Sequence, residues 1–247
     1  MGRYFIHMAY DGSDYFGWQV QVKQKTVQQV LESALSTLLK QEIPVTGAGR
    51  TDTGVHASHF VAHFDLPAGE TSFSDQFIFK LNRFLPSDIV VYRIFEVPDH
   101  MHARFSATYR TYHYHIATEK PLYRRNYSHY VYGEIDTRAI SSCCKIILET
   151  RDFTSFAKLH TDVKTNECQV TKASWKQVEA GYLFEISANR FLRNMVRSIT
   201  GTLLNVGRGK MDPEDFRRIV EAKDRGQASS SAPAKGLFLV DIGYPEF

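Results

Sequence analysis

Asp52 is the acidic residue with the most distinctive surroundings in this chain of 247 residues. It lies in the run 47–57, where three glycines bracket Arg50 and the Asp52 carboxylate. Glycine allows φ > 0 and close approach of another backbone or a ligand, so the run predicts a tight loop that presents Arg50 and Asp52 outward. A carboxylate presented in this way can act as a nucleophile. A turn whose Asp bonds its own backbone explains the same pattern, and it is the commoner outcome for an isolated Asp between glycines.

A second group of residues suited to nucleic acid lies in the segment 104–118. If this segment is an unbulged strand, one face carries Arg104, Arg110, Tyr112 and Tyr114. Guanidinium groups bind phosphate and tyrosine rings stack on bases, so this face suits a phosphate backbone together with an unstacked base. Tyrosines that pack against a helix, beside arginines whose stems cover apolar surface, would give the same pattern.

Three arginines form a third candidate group. On a helix that begins at Phe191, Arg190, Arg193 and Arg197 share a stripe opposite the apolar residues, because each residue advances about 100°. The ordinary reason for such a stripe is a solvated face. An arginine from this helix that reached Asp52 would lower the pKa of the carboxyl group and keep it ionised, as a nucleophile requires.

The sequence gives little support for a metal site or a cofactor-binding site. His56, His59 and His63 lie within eight residues, but no acidic residue or cysteine in an obvious position completes a tetrahedral set, so zinc is not favoured. The three cysteines lack C-x-x-C spacing and predict neither a disulfide framework nor a cysteine metal site. The chain also lacks P-loop, dinucleotide-binding and Ser-His-Asp signatures, which argues against a cofactor.

The elements that must position these residues follow a similar order in both halves of the chain. In the first half, strands are predicted at 3–10, 43–47, 58–66 and 89–97, with helices at 26–40 and 73–84. In the second half, strands are predicted at 104–118, 170–179, 182–188 and 237–243, with helices at 137–149, 191–206 and 213–222. This order predicts an α+β fold of two RRM-like or ferredoxin-like βαββαβ subdomains, with antiparallel sheets joined around a central cleft. The predicted N-terminal subdomain is 1–103, which carries the Asp52 loop, and the C-terminal subdomain is 104–247.

Composition indicates a folded cytoplasmic protein. The apolar content is 43%, and no apolar run reaches the 18 or so residues that span a membrane. The first residues alternate like a strand and do not resemble a signal peptide. The net charge is only +3, but residues 190–210 hold five basic residues and no acidic residue. Residues 225–235, which include three serines in succession, predict a flexible loop.

Six motifs together resemble the tRNA pseudouridine synthase A family, from near the start of the chain to near its end. They are residues 10–19 (Tyr-Asp-Gly-Ser-Asp-Tyr-Phe-Gly-Trp-Gln), 49–57, 102–107 with Arg110 and Tyr112, 152–156, 191–201, and the closing stretch from Gly236 to Pro245. Their order along the chain is that of the family, so chance similarity is a poor explanation.

The resemblance implies an isomerase that converts uridine to pseudouridine at positions 38, 39 and 40 of the tRNA anticodon stem-loop, with no cofactor and no metal. Asp52 would be the nucleophile, Tyr112 would stack on the uracil and mediate proton transfer, and Arg197 would form an ion pair with Asp52. Arg50 would fill the gap left by the flipped nucleotide. Further RNA contacts are implied for His102, Arg104, Arg110, His160 and Lys164.

The family's enzymes are homodimers in which one tRNA touches both subunits, so tRNA and a second copy of the chain are the expected partners, without a membrane. The resemblance leaves open whether the carboxylate attacks C1′ of the ribose, adds to C6 of the uracil or assists a glycal route. A protein that binds RNA without chemistry is the main alternative, and a hydrolase that uses the histidines to hold a metal is a third.

Overall fold

The computed structural model describes residues 2–67, 73–158 and 165–246, which form two compact units. The first unit comprises Met1–Thr108 together with Leu239–Phe247, and the second is the continuous segment Tyr109–Phe238. Five α-helices and strands that pair almost entirely antiparallel make up the described residues, which confirms the α+β class. Within those residues no helix is both long enough and apolar enough to cross a bilayer.

The first unit contains a sheet and two helices. Its elements are β1 (Gly2–Tyr10), α1 (Val27–Leu39), β2 (Thr46–Gly47), β3 (His56–Leu66), α2 (Asp75–Phe84) and β4 (Ile89–Val97). Strand β1 lies between β3 and β4 and is antiparallel to both, and the short β2 pairs with β3. The last strand of the chain, β9 (Leu237–Gly243), adjoins the other edge of β3.

Alternation and capping explain why these residues form these elements. Along β1, Tyr4, Ile6 and Met8 lie on one face and are buried, as the period of a strand allows, and Phe5 on the other face is buried as well. Helix α1 begins after Thr26, whose side-chain oxygen accepts a hydrogen bond from the backbone N–H of Gln29. Local sequence therefore defines the start of the helix as well as its apolar face.

The second unit has the remaining elements. They are β5 (Tyr109–Ala117), β6 (His129–Tyr130), α3 (Thr137–Glu149), β7 (Val170–Val178), β8 (Gly181–Ala188), α4 (Met195–Gly207) and α5 (Pro213–Ala222). Strand β8 lies between β5 and β7 and is antiparallel to both, whereas β6 is a short parallel partner of β5. The predicted order of the larger elements is confirmed, and β6 is an addition to it.

Two elements begin later than predicted, and local hydrogen bonds explain both differences. The strand predicted from 104 begins at Tyr109, because His102 closes a turn: its backbone N–H donates to Ser106 Oγ and its carbonyl accepts from Ser106 N. The helix predicted from 191 begins at Met195, because Asn194 precedes it with φ 66°, outside helical geometry. Arg104 is therefore not on the strand.

The division between the units differs from the predicted boundary at residue 104. Residues 104–108 and 239–246 belong to the first unit. Thr108 N donates to Gly243 O over 2.8 Å, and the Tyr244 hydroxyl donates to Ala103 O over 2.6 Å. The Tyr244 ring also contacts Phe5 edge-to-face at 5.1 Å between centroids. These contacts attach the end of the chain to its beginning.

Candidate active site

The loop that carries Asp52 connects β2 to β3 and is fastened at its entrance. Ala48 N donates to Val61 O on β3 over 2.8 Å, and Ala48 itself is buried. The Trp18 ring, which lies next to Gly47, packs against Phe60 at 4.2 Å between centroids, so the start of the loop is in contact with apolar side chains. The first residues of the loop are therefore part of the core of the unit.

The segment 10–19 holds the middle of the loop on both sides of Asp52. The Tyr10 hydroxyl lies 3.0 Å from Thr51 Oγ1, and Gly54 N donates to Tyr15 O over 3.3 Å. Gly17 has φ +85°, and a Cβ added to it would lie 2.2 Å from Thr51 O, so only glycine fits. The two motifs that were separate in the sequence thus form one structure.

Buried polar groups fasten segment 10–19 in turn. Tyr15 is 1% exposed, and its hydroxyl donates to Asp88 Oδ1 over 2.6 Å. Burial is the main cause that raises the pKa of Tyr15, and the hydrogen bond to Asp88 raises it further. The buried His56 Nδ1 lies 3.1 Å from Gly12 N and 3.0 Å from Asp11 Oδ1. His56, one of the three clustered histidines, thus has a structural role in holding segment 10–19.

Asp52 and Arg50 lie at the accessible part of the loop. The turn after Asp52 is closed by its main-chain carbonyl, which accepts from Val55 N over 3.1 Å. Asp52 as a residue is intermediate in exposure, while Arg50 is exposed. Around Gly49 the space is open, since an added Cβ would meet no atom within 4 Å. The loop thus combines a fixed base with an open tip.

Tyr112 and Arg110 lie on β5 in the second unit. Tyr112 is half-buried, pairs in register with Ile186 on β8, and contacts the Phe191 ring edge-to-face at 5.1 Å between centroids. Arg110 Nη1 donates to Asn189 O over 2.9 Å. Both side chains share the strand face that the period of two predicts, and Arg110 is anchored to the unit that carries it.

Tyr114 shares that face but belongs to the core. It is 0% exposed, and its hydroxyl donates to Pro233 O over 2.8 Å. Burial raises its pKa. The interpretation of the whole face as an RNA-stacking surface is therefore wrong for Tyr114, because its ring is fully buried and its hydroxyl is bonded to the Pro233 carbonyl. Tyr112 remains the partly accessible tyrosine of the face.

Arg197 lies on α4 and is held by a reciprocal pair of hydrogen bonds. Arg197 Nε donates to Ala232 O over 2.9 Å, while Ala232 N donates to Arg197 O over 2.9 Å. Arg190 and Arg193 precede the helix, so the predicted stripe of three arginines does not exist. Arg197 alone of the three occupies a helical position.

The segment predicted to be a flexible loop runs along α4 and is bonded to it. Asn205 Nδ2 donates to Ser229 Oγ over 2.8 Å, and Asn194 Nδ2 donates to Ser231 Oγ over 2.6 Å. Between them, an added Cβ at Gly201 would lie 2.0 Å from Ser230 O. We call residues 228–233 the serine strap. The serine strap contacts two full turns of α4. It lies on the side of the helix that carries Arg197 and holds that side chain in place through Ala232.

His102 organises the turn that precedes β5. Its Nδ1 accepts from Arg104 N over 3.0 Å and from Phe105 N over 3.3 Å. Burial, followed by the nearby Arg3 and Arg104 charges, lowers the pKa of His102. The Arg104 side chain is exposed, with its guanidinium carbon 5.4 Å from the centre of the Phe105 ring. The turn thereby directs one basic group toward solvent.

The remaining predicted site residues, His160 and Lys164, lie outside the described residues. In the described ranges, no group of three or more His, Cys, Asp or Glu side chains is arranged to hold a metal ion. Sequence reasoning did not assign the residues that support the Asp52 loop in the first unit (Tyr10, Tyr15 and Gly17) or those that support Arg197 in the second (Gly201 and Ala232). The tyrosines and Gly17 lie in a motif that had been noticed, but spacing alone does not reveal which groups they contact.

Residues 6–106 and 147–245, more than half of the chain, match the family described as tRNA pseudouridine synthase. The chain therefore belongs to the tRNA pseudouridine synthase family and is an isomerase of that class. Tyr112 and Arg110 fall between the two matched ranges, whereas Arg50, Asp52 and Arg197 fall within them.

Relatives named tRNA pseudouridine synthase A are similar along almost the whole chain. The protein from Bacteroides thetaiotaomicron is 51% identical over 251 residues, covering 100% of this chain and 92% of the relative. The protein from Parabacteroides distasonis is 49% identical and covers 100% and 97%. The protein from Bacillus subtilis is 38% identical and covers 96% and 97%. The resemblance predicted from the motifs is confirmed.

Proposed function

We propose that this protein converts uridines 38, 39 and 40 in the anticodon stem-loop of tRNA to pseudouridine, with Asp52 as the nucleophile. The observation that carries the proposal is the Asp52 loop, which is bonded to segment 10–19 on both sides of the carboxylate, through the Thr51 side chain before it and the Gly54 main chain after it. A nucleophile held in this way needs little reorganisation before it attacks. Membership of the family is the reason to propose this reaction, and the geometry of the loop is the reason to propose Asp52 as its nucleophile.

The reaction exchanges one bond of the sugar for another. The bond between C1′ and N1 of uracil breaks, the base turns, a bond between C1′ and C5 forms, and the hydrogen of C5 leaves as N1 gains a proton. Asp52 attacks C1′, adds to C6 or assists a glycal route. Tyr112 stacks on the uracil and mediates the proton transfer. Arg197 forms an ion pair with the Asp52 carboxylate.

A uridine inside a stem is unreachable until it is flipped out of the stack. We assign this step to Arg50, whose exposed position at the open tip of the loop suits insertion into the vacated stack. His102, Arg104, Arg110, His160 and Lys164 are proposed to contact the RNA. The turn that His102 organises leaves the Arg104 guanidinium exposed, which suits a phosphate contact.

The proposal includes the assembly and location of the protein. Each unit is proposed to be an RRM-like module, the protein to be a homodimer in the cytoplasm, and the reaction to require neither metal nor cofactor. The runner-up function is RNA binding without chemistry. No described feature favours it over isomerisation, because a binding surface does not need a carboxylate in a loop fastened on both sides.

The test measures pseudouridine at positions 38–40 of an unmodified tRNA incubated with purified variants. Asp52→Asn preserves shape and removes the charge, so the rate is expected to fall by about 10⁴-fold or more, the scale of nucleophile loss in other enzymes. Asp99→Asn, which neutralises an exposed carboxylate elsewhere in the first unit, is the matched control and should retain the wild-type rate. Full activity in Asp52→Asn would refute the mechanism. Wild-type protein that binds tRNA but forms no pseudouridine would support the binding alternative.

A further inference from the structure

Residues 119–132 of the second unit expose large apolar side chains next to basic ones. Leu122 is 64% exposed and Tyr123 is 89% exposed. Lys120 and Arg124, which flank them in the chain, are exposed as well. Exposed aromatic surface in a folded protein commonly marks an interaction site. We call Lys120, Leu122, Tyr123, Arg124 and Arg125 the basic ridge.

The basic ridge is an ordered structure. The residues that follow the ridge are attached to β5, because β6 pairs with Ile116 and Ala117, and Val131 N donates to Ala117 O over 2.9 Å. Within it, the Arg124 carbonyl accepts from Tyr127 N over 2.9 Å and from Ser128 Oγ over 2.9 Å. A surface whose main chain is already ordered loses less entropy when it binds a partner.

Positive charge gathers around the ridge from other parts of the second unit. Lys235 Nζ donates to the Arg125 carbonyl over 2.7 Å. Burial lowers the pKa of the nearby His129, and the charges of Lys235 and Arg208 lower it further. A polyanion is the electrostatic complement of such a surface. Lys120 suits a protein partner less well, because lysine is depleted at protein interfaces.

The ridge is also remote from Tyr112 along the same strand. Tyr112 is five residues before Ala117, where β5 ends, a distance of about 17 Å at the rise of a strand. The ridge lies beyond that end, and its residues fall outside the two ranges that match the family, 6–106 and 147–245. An RNA bound there is not the nucleotide that stacks on Tyr112.

We propose that the basic ridge binds the substrate RNA at a point away from the reacting uridine, with an unpaired base stacked on Tyr123 and a phosphate bound by Arg124. Stacking on an aromatic ring tolerates any base, and guanidinium binds phosphate without reading sequence, so the ridge adds affinity rather than sequence specificity. This inference rests on the proposed function, because it takes tRNA to be the ligand.

The test measures the Kd of the full-length protein for unmodified tRNA over a series of salt concentrations. Tyr123→Ala is expected to raise Kd about 5- to 100-fold, the range for loss of one stacked base, whereas Tyr123→Phe keeps the ring and should stay within about twofold. Arg124→Ala is expected to reduce the slope of log K against log salt by about 0.7–0.9, the contribution of one phosphate contact. The matched control is Tyr132→Ala, since Tyr132 is 81% exposed but is followed by Gly133 and Glu134.

The outcomes separate this inference from the proposed function. Wild-type protein that isomerises tRNA, together with ridge variants that keep the wild-type Kd and salt slope, refutes the ridge and leaves the function intact. Wild-type protein that binds tRNA but forms no pseudouridine refutes the function alone. Sedimentation velocity of the free variants identifies the other possible occupant: if Tyr123→Ala changes the oligomeric mass and not the RNA affinity, the ridge contacts a second copy of the chain.

Discussion

The substitution Gly201→Ala tests whether the serine strap presses against α4. In an ordinary helix this change stabilises the protein by about 1 kcal/mol, because alanine has the higher helix propensity. Here the new Cβ would lie 2.0 Å from Ser230 O and 3.2 Å from Ala232 N, both main-chain atoms. The strap must move by more than an ångström to restore ordinary contact, so the structure predicts the opposite sign.

The expected magnitude follows from what that movement disrupts. Overpacking costs about 1–3 kcal/mol. Each hydrogen bond lost between Arg197 and Ala232 costs about 0.5–1.5 kcal/mol. If both of these bonds are lost, the net loss after the gain in helix propensity is about 1–5 kcal/mol of the free energy of unfolding. Because Arg197 loses the acceptor for its Nε, the rate of pseudouridine formation should fall even when the protein is fully folded.

Urea denaturation followed by circular dichroism measures the first effect, and a single-turnover assay below the transition measures the second. Gly49→Ala is the control for stability, since its Cβ meets nothing within 4 Å, and its unfolding free energy should change by less than about 0.5 kcal/mol. If Gly201→Ala stabilises the protein and leaves the rate unchanged, the strap does not fix Arg197 and the reasoning is refuted.

Three further predictions concern the first unit. Gly17→Ala should destabilise the protein by more than about 1 kcal/mol and slow the reaction, because its φ is +85° and the Cβ would meet Thr51 O at 2.2 Å; thermal unfolding and the rate assay check this. Tyr15→Phe should lower the free energy of unfolding by about 1–3 kcal/mol, because the buried ring loses its bond to Asp88; equal urea midpoints would contradict it. Burial lowers the pKa of His63 to about 4, whereas the unfolded chain titrates near 6.5. Between these values the unfolded state binds more protons, so stability falls as pH falls from about 6.5 to 4, and His63→Gln should reduce that slope in denaturation curves.

The parts of the fold that sequence predicts well depend on local patterns. Helix α1 is an example, because Thr26 and the apolar spacing define its start and its buried face. The helix predicted from Phe191 is present as α4, but its predicted start was four residues too early, for a reason that periodicity does not reveal. Asn194 adopts φ 66°, so the regular helix starts only after it. Likewise, the turn closed by His102 and Ser106 depends on side-chain hydrogen bonds to the backbone.

The supports of the candidate site were harder to predict, because they join segments far apart in the chain. The serines before Pro233 have the composition of a flexible loop, yet Ser229 bonds to Asn205 on α4 and Ser231 bonds to Asn194, which immediately precedes α4. The composition of a segment indicates how it behaves without hydrogen-bond partners. It does not reveal that residues elsewhere in the chain provide such partners. The Asp52 loop was hard to predict for a similar reason. Gly54 N donates to the main-chain carbonyl of Tyr15, and a bond between two main chains leaves no signal in the residue types.

The return of the chain to its starting unit determines the order in which a newly made protein can fold. The second unit is continuous, so all of its residues have been synthesised once Phe238 is added. The first unit must wait for residues 239–246, although most of it is made first, because β9 covers the edge of β3 and Tyr244 reaches Ala103. During translation that edge has unpaired backbone groups, which invite pairing with other chains. Removal of residues 239–246 would therefore harm the N-terminal unit, and with it the loop of Asp52.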